Sequence, residues 1–162
     1  MKSYMTLKTA LLGDLLLTAS ETELTGVFFA DCEHAARRRE GEHNPKQPVL
    51  RRAAVEILEY LKGARTNFSV PLRCEGTDFQ REVWRQIALI PFGETITYGT
   101  LAERAGNSRA VRAAGTATGR NPIGIIIPCH RVVGKHGALG GYAGGLARKR
   151  RLLKIELNPM AA

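Results

Sequence analysis

The feature that most constrains this chain is the apolar run Ile123-Gly124-Ile125-Ile126-Ile127, closed by a proline on each side and followed at once by Cys129-His130-Arg131. A run this apolar has to cross a core, and Pro122 and Pro128 restrict the backbone at its two ends. The fold must therefore deliver a thiol, an imidazole and a guanidinium together at the exit of a buried segment, predicted as a strand. A thiol attacks as the thiolate, so it needs a base or a positive environment. A dry apolar wall is where such electrostatic help is least screened. The Cys-His pair alone is weak evidence, because adjacent residues often point apart.

The elements around this run suggest an α+β chain in two units. Ser3 to Lys8, Leu15 to Ala19 and Leu24 to Ala30 read as strands parted by Gly13-Asp14 and Ser20-Glu21. Residues 31 to 48 are charged and read as a loop or frayed helix. An amphipathic helix follows, with Leu50, Ala54, Ile57, Leu58 and Leu61 on one stripe, and Asn67 to Arg73 reads as one more strand. These make a small α/β unit of antiparallel strands plus a helix, residues 1–75.

The second unit, residues 76–162, is mainly helical. Thr77 and Gln80 have capping-box spacing, ahead of the stripe Phe79, Val83, Trp84 and Ile87. Thr97-Tyr98 opens a short helix through Arg104, Gly106 breaks it, and a second helix is expected from about Ser108 to Thr118. Helix, glycine turn, helix is the helix-turn-helix pattern, winged-helix-like in this setting.

Charge divides at the same boundary. From Gly76 onward there are 13 lysines and arginines against 5 acids, whereas residues 1–75 carry 11 against 10. The basic half points to a polyanion partner. Three scattered cysteines, Cys32, Cys74 and Cys129, do not make a disulfide framework and suit a reducing compartment. The longest apolar run near the start, Leu15 to Leu17, is too short for export or for spanning a membrane, so a cytoplasmic protein without membrane attachment is expected.

Taken in order, Asn121-Pro122, Pro128-Cys129-His130-Arg131-Val132, the loop Gly140-Gly141-Tyr142-Ala143-Gly144-Gly145 and a helix ending in Glu156 resemble the O6-alkylguanine-DNA alkyltransferases. The resemblance is dense from Thr77 to Glu156 and thin before it. It implies DNA repair by stoichiometric, irreversible transfer of an alkyl group from O6-alkylguanine, and also from O4-alkylthymine, to Cys129. His130 would take the thiol proton through a water. Glu156 would orient His130, and Asn121 would brace the active-site turn through backbone hydrogen bonds. This is the nucleophile, base and orienter logic of a hydrolase triad. Arg131 is expected to be structural.

By the same resemblance the helix-turn-helix enters the minor groove of double-stranded DNA and the damaged base is flipped out of the stack. Arg112 would fill the gap it leaves. Tyr98 would crowd the neighbouring phosphate and contact the guanine, while Arg109 and Ala110 meet the DNA beside it. The loop Gly140 to Gly145, Gly144 included, would wall the alkyl pocket, Ala143 would offer its backbone N–H to the O6 atom, and Val132 would also meet the substrate. Arg150-Arg151 stands where relatives often have an acidic and then a bulky apolar residue, which leaves the packing of the last helix open.

No cofactor is implied. Some relatives carry zinc in the N-terminal part, but Cys32, His34 and His43 lack a fourth partner here, so no metal is expected. The protein is expected to be a monomer, with cooperative binding along DNA left open. A thiol hydrolase using Cys129 and His130 would leave the basic helix-turn-helix without a purpose. A plain transcription regulator would leave the Cys-His-Glu set unexplained.

Overall fold

In the computed structural model, which describes residues 1–158, a four-stranded sheet packs on one helix and runs into a cluster of helices. The strands are β1 (Ser3–Thr9), β2 (Gly13–Ala19), β3 (Leu24–Phe29) and the short β4 (Glu42–His43), in the order β3-β2-β1-β4. The first three are antiparallel neighbours, and β4 runs parallel to β1. β2 buries Leu15, Leu16 and Leu17 in succession, so neither face of this central strand meets solvent.

Helix α1 (Pro48–Leu61) lies on the sheet. Pro48 sits in its first turn, where its missing N–H is not needed, and Gln47 caps it by accepting from the Leu50 N–H at 2.8 Å. The segment Asn67 to Arg73 is not a strand; only Leu72 bridges to β3, at Leu24. Apart from the Arg73 N–H, which donates to Leu24 O, its donors make no further ladder with β3. The Ser69 and Val70 N–H groups both go to the Glu56 carboxylate, and Pro71 has none to give.

The remaining elements are α2 (Asp78–Ala88), β5 (Ile96–Thr97), α3 (Tyr98–Arg104), α4 (Val111–Gly119), β6 (Val132–Val133) and α5 (Leu146–Leu157). β5 and β6 pair in parallel. The Thr77–Gln80 capping box forms in both directions at the head of α2. Trp84 then ties α2 to α4 by donating its indole N–H to Ala117 O at 2.8 Å.

α3 and α4 are the helix-turn-helix. Gly106 takes φ +88° at the turn, a conformation that costs glycine no steric clash. The second helix starts later than its sequence suggests, because the Asn107 side chain and carbonyl accept from the Arg109 and Ala110 N–H groups and extend the turn. Arg109 thus belongs to the turn and Ala110 is the N-terminal flank of α4.

One contiguous apolar cluster runs from the sheet through α1 to the helices. Cation and aromatic contacts reinforce that seam. Arg148 stacks on Phe29, donates to Leu12 O and pairs with Asp31, while Arg151 donates to Leu11 O. The packing of the last helix, open from the sequence, is settled by these two arginines; Arg150 is exposed.

Candidate active site

The run from Ile123 to Ile127 is buried, as its composition requires, but it is a closed turn and not a strand. The flanking prolines offer no donors to a ladder, and the Asn121 side chain spans the run instead. Its Oδ1 accepts from Ile123 N at 3.0 Å and its Nδ2 donates to Ile127 O at 2.8 Å. Ile125 is forced to φ 71°, a strained position for a β-branched residue and one that persists only when its surroundings over-determine it. The chain leaves this turn in a single 3-10 turn, Cys129–Arg131, with all three side chains buried.

Cys129 lies in the wall of a cleft of about 1320 Å³ between the helix-turn-helix, the glycine-rich loop and the edge of the sheet. Tyr98, Arg112, Asn121, Tyr142 and Ala143 line the same cleft. Tyr98 is held between α4 and the loop: a side chain at Gly140 would come within 3.3 Å of its ring. Gly144 packs so closely on Phe29 that a Cβ there would sit 2.3 Å from the ring, so the loop can lie flat only with glycine.

His130 turns away from the cleft and is fully buried. Its Nε2 is 2.7 Å from Glu156 Oε1, while its Nδ1 meets no protein hydrogen-bonding partner. Arg131 grips the same carboxylate through Nε and Nη2, at 2.8 to 3.0 Å, and donates Nη1 to Ile90 O. The Gly93 N–H adds a further donor at 3.2 Å. Burial works to raise the Glu156 carboxyl, but His130 and Arg131 outweigh it and hold it at about 2, firmly ionised. Burial keeps His130 below its usual range and therefore neutral, against the pull of Glu156.

Burial also pushes the Cys129 thiol up, although Asn121 and the Lys149 ammonium oppose this. Arg131 spends its charge on Glu156. The thiol thus calls for a base, with the Lys149 ammonium as the positive charge that acts on it.

Two residues of the site escape sequence reasoning. Lys149 is fully buried and donates to Val132 O at 2.7 Å. It hides in the basic run Arg148 to Arg151, and only its helical spacing from Leu152 and Glu156 marks the inward face. Tyr60, on the buried face of α1, donates its hydroxyl to Glu156 Oε1 at 2.6 Å. A tyrosine on that face must find a polar partner, which is the signal that could have found it.

The structure does not bring every predicted residue to the cleft. Val132 is wholly buried in β6, with its carbonyl toward Lys149. Arg109 and Ala110 lie with Arg112 along a shallower groove of about 570 Å³ on the outer face of α4. Cys32 donates its S–H to Ala143 O, His34 is exposed at the cleft, and His43 packs with a tilted ring against Tyr4. Among the described residues no three His, Cys, Asp or Glu side chains are grouped to hold a metal. No helix among them is long and apolar enough to cross a membrane.

A neutral base behind a buried thiol, beside exposed arginines on a helix-turn-helix, defines a class: proteins that do nucleophilic cysteine chemistry against a polyanion. Comparison with known proteins narrows it. Residues 3–74 match the ribonuclease-like domain, and residues 78–158 the DNA-binding domain, of the 6-O-methylguanine DNA methyltransferases, and the chain belongs to that family. It is 41% identical over 145 residues to the methylated-DNA–protein-cysteine methyltransferase of Mycolicibacterium paratuberculosis, covering 90% of this chain and 87% of that one. The Methanosarcina acetivorans protein of the same name is 51% identical over 110 residues, 68% of this chain and 70% of its own. Mycobacterium tuberculosis OGT, solved in complex with DNA, superposes with a TM-score of 0.88 at 39% identity, covering 96% of this chain and 93% of that one.

Proposed function

We propose that the protein repairs alkylated DNA by moving an alkyl group from O6-alkylguanine, and from O4-alkylthymine, onto Cys129. The observation that carries this reading is the Cys129 thiol in the cleft wall, backed by a neutral His130 whose Nε2 is held by an ionised Glu156. In the reaction the thiol proton passes to His130 through a bridging water. The sulfur pair forms a carbon–sulfur bond as the carbon–O6 bond breaks, and guanine keeps that electron pair and takes up one proton. The thioether offers no easy leaving group at sulfur, so each molecule acts once.

The helix-turn-helix enters the minor groove of duplex DNA. Arg112, exposed on α4 at the cleft edge, takes the place of the flipped nucleotide and offsets part of an unstacking cost of a few kcal/mol. Tyr98 meets the base and its phosphate, Arg109 and Ala110 meet the adjoining backbone, and Ala143 offers its N–H to O6. Gly144 and Val132 support the pocket from behind. Residues 1–75 and 76–162 act as two domains of one monomer, with no metal or cofactor. The test is intact mass after incubation with O6-methylguanine duplex. A single 14 Da gain, the difference between a methyl group and the hydrogen it replaces, is expected on Cys129; many turnovers per molecule, or label on Cys32 or Cys74, would overturn the reading.

A further inference from the structure

The role of Tyr60 emerges from counting protons around Glu156. Three groups crowd Oε1: the Tyr60 hydroxyl at 2.6 Å, His130 Nε2 at 2.7 Å and the Arg131 guanidinium at 2.8 Å. The Tyr60 oxygen also lies 3.2 Å from His130 Nε2. A ring nitrogen 2.7 Å from an ionised carboxylate oxygen favours the tautomer that carries hydrogen there, since otherwise two lone pairs face each other. Nε2 is therefore the N–H nitrogen. The one Tyr60 proton cannot then point at Nε2, and it goes to Glu156. That leaves the lone pairs of the Tyr60 oxygen facing the same Nε2–H as a second acceptor.

We propose that Tyr60 is a positioning residue for alkyl transfer: its hydroxyl, committed to Glu156, helps fix His130 as the Nε2–H tautomer and so keeps Nδ1 free to receive the Cys129 proton. This rests on the function proposed above. Nδ1 is buried and meets no other protein partner, as a base held ready for a proton should. The geometry is rigid. Tyr60 is fully buried, with its ring against Phe68 at 5.4 Å and edge-on to Phe92 at 6.1 Å between centroids. The groups facing His130 are Glu156, Arg131, Lys149 and Tyr60, and of these only Tyr60 comes from the N-terminal unit. The sheet-and-helix unit thereby completes the chemistry of a thiol that lies about 70 residues further along the chain, the separation of Tyr60 from His130. It is more than a scaffold.

The test is Tyr60→Phe in the full chain, which keeps the ring packing and removes only the hydroxyl. Loss of one hydrogen bond to a charged group should slow transfer from O6-methylguanine duplex about tenfold. Duplex affinity should stay at the wild-type value. Nitrogen NMR of histidine-labelled protein supplies a readout that packing alone does not move. Wild-type His130 should show the Nε2–H tautomer, and Tyr60→Phe should show a mixture of tautomers. A wild-type His130 protonated at Nδ1 overturns the proposal, as does a Tyr60→Phe variant with wild-type rate and an unmixed tautomer. A slower variant whose melting temperature falls while its tautomer stays pure makes Tyr60 structural and also overturns it. If the wild-type protein takes no alkyl group at all, the proposed function fails, and the two NMR spectra still decide the role of Tyr60.

Discussion

The two sides of the cleft are built on opposite principles. Behind Cys129, the groups His130, Arg131, Glu156, Tyr60 and Lys149 are all buried, and each is held by at least one partner at 3.0 Å or less. In front of it, Arg112 and Arg120 are exposed at the cleft, and Arg109 is exposed along the outer groove beside it. The difference teaches which residues can tolerate change. A buried network fails as a unit, because removing one charge leaves another unpaired in a dry place. Exposed arginines act one by one, through a field that salt screens.

The largest expected effect is also the cleanest division between the sides. Cys129→Ala should abolish transfer to duplex and to free O6-alkylguanine base alike, yet leave duplex binding intact in a mobility-shift or anisotropy titration. Lost binding would mean that the thiol side also shapes the DNA face, and the comparison would break there.

Glu156→Gln probes the buried side directly. It keeps the shape but removes the charge that balances Arg131, so it should cost about 3–5 kcal/mol of stability by thermal or urea unfolding. Transfer should slow by more than about a hundredfold at temperatures where the variant is folded, because the acceptor that fixes the His130 tautomer is weakened. Equal losses in transfer and in DNA binding would make Glu156 structural alone.

Acid should attack the same network from outside. The Glu156 carboxyl is held at about 2 in the fold against an ordinary 4.5, so its share of stability is complete above about pH 5 and drains away as pH falls toward 2. That share is at most about 3 kcal/mol. His130 is kept below its ordinary 6.5, so under that pH the unfolded chain binds a proton that the fold refuses. Both shifts act in one direction. The melting temperature should begin to fall near pH 6.5 and fall faster below about 5, and a flat profile from pH 7 to 3 would contradict an ionised Glu156 beside a neutral His130.

How far the sequence revealed these two sides follows the same contrast. The first three strands, the capping box, α3 and the order of Cys129, His130 and Glu156 are legible because they rest on local pattern and fixed spacing. What the sequence does not reveal depends on partners distant along the chain. The strand expected over Asn67 to Arg73 loses two of its donors, at Ser69 and Val70, to Glu56, and the apolar run before Cys129 closes as a turn through the Asn121 side chain. Tyr60 reads as ordinary core until Glu156, 96 positions away, is seen to accept its proton. The basic face is legible as charge but not as geometry: Arg109 reads as helical and stands in the turn before the helix.

The smallest expected effects separate two arginines that composition makes equivalent. Arg112 lines the cleft with Cys129, whereas Arg109 lies only along the outer groove. An arginine that occupies the hole left by a flipped base matters only when there is a duplex to flip from. Arg112→Ala should slow repair of duplex DNA about tenfold, while transfer from free O6-alkylguanine base stays near the wild-type rate. Arg109→Ala should leave the transfer step unchanged at saturating DNA. It should weaken duplex binding modestly, at all sequences alike, and reduce the slope of log affinity against log salt by about one. Binding titrations from low to moderate salt, beside single-turnover rates on both substrates, distinguish the two. If Arg112→Ala slows the free base as much as the duplex, Arg112 is holding the pocket and flipping must be assigned to another residue. If Arg109→Ala leaves the salt slope untouched, the outer groove does not meet phosphate, and the exposed side of the cleft is narrower than its charge suggests.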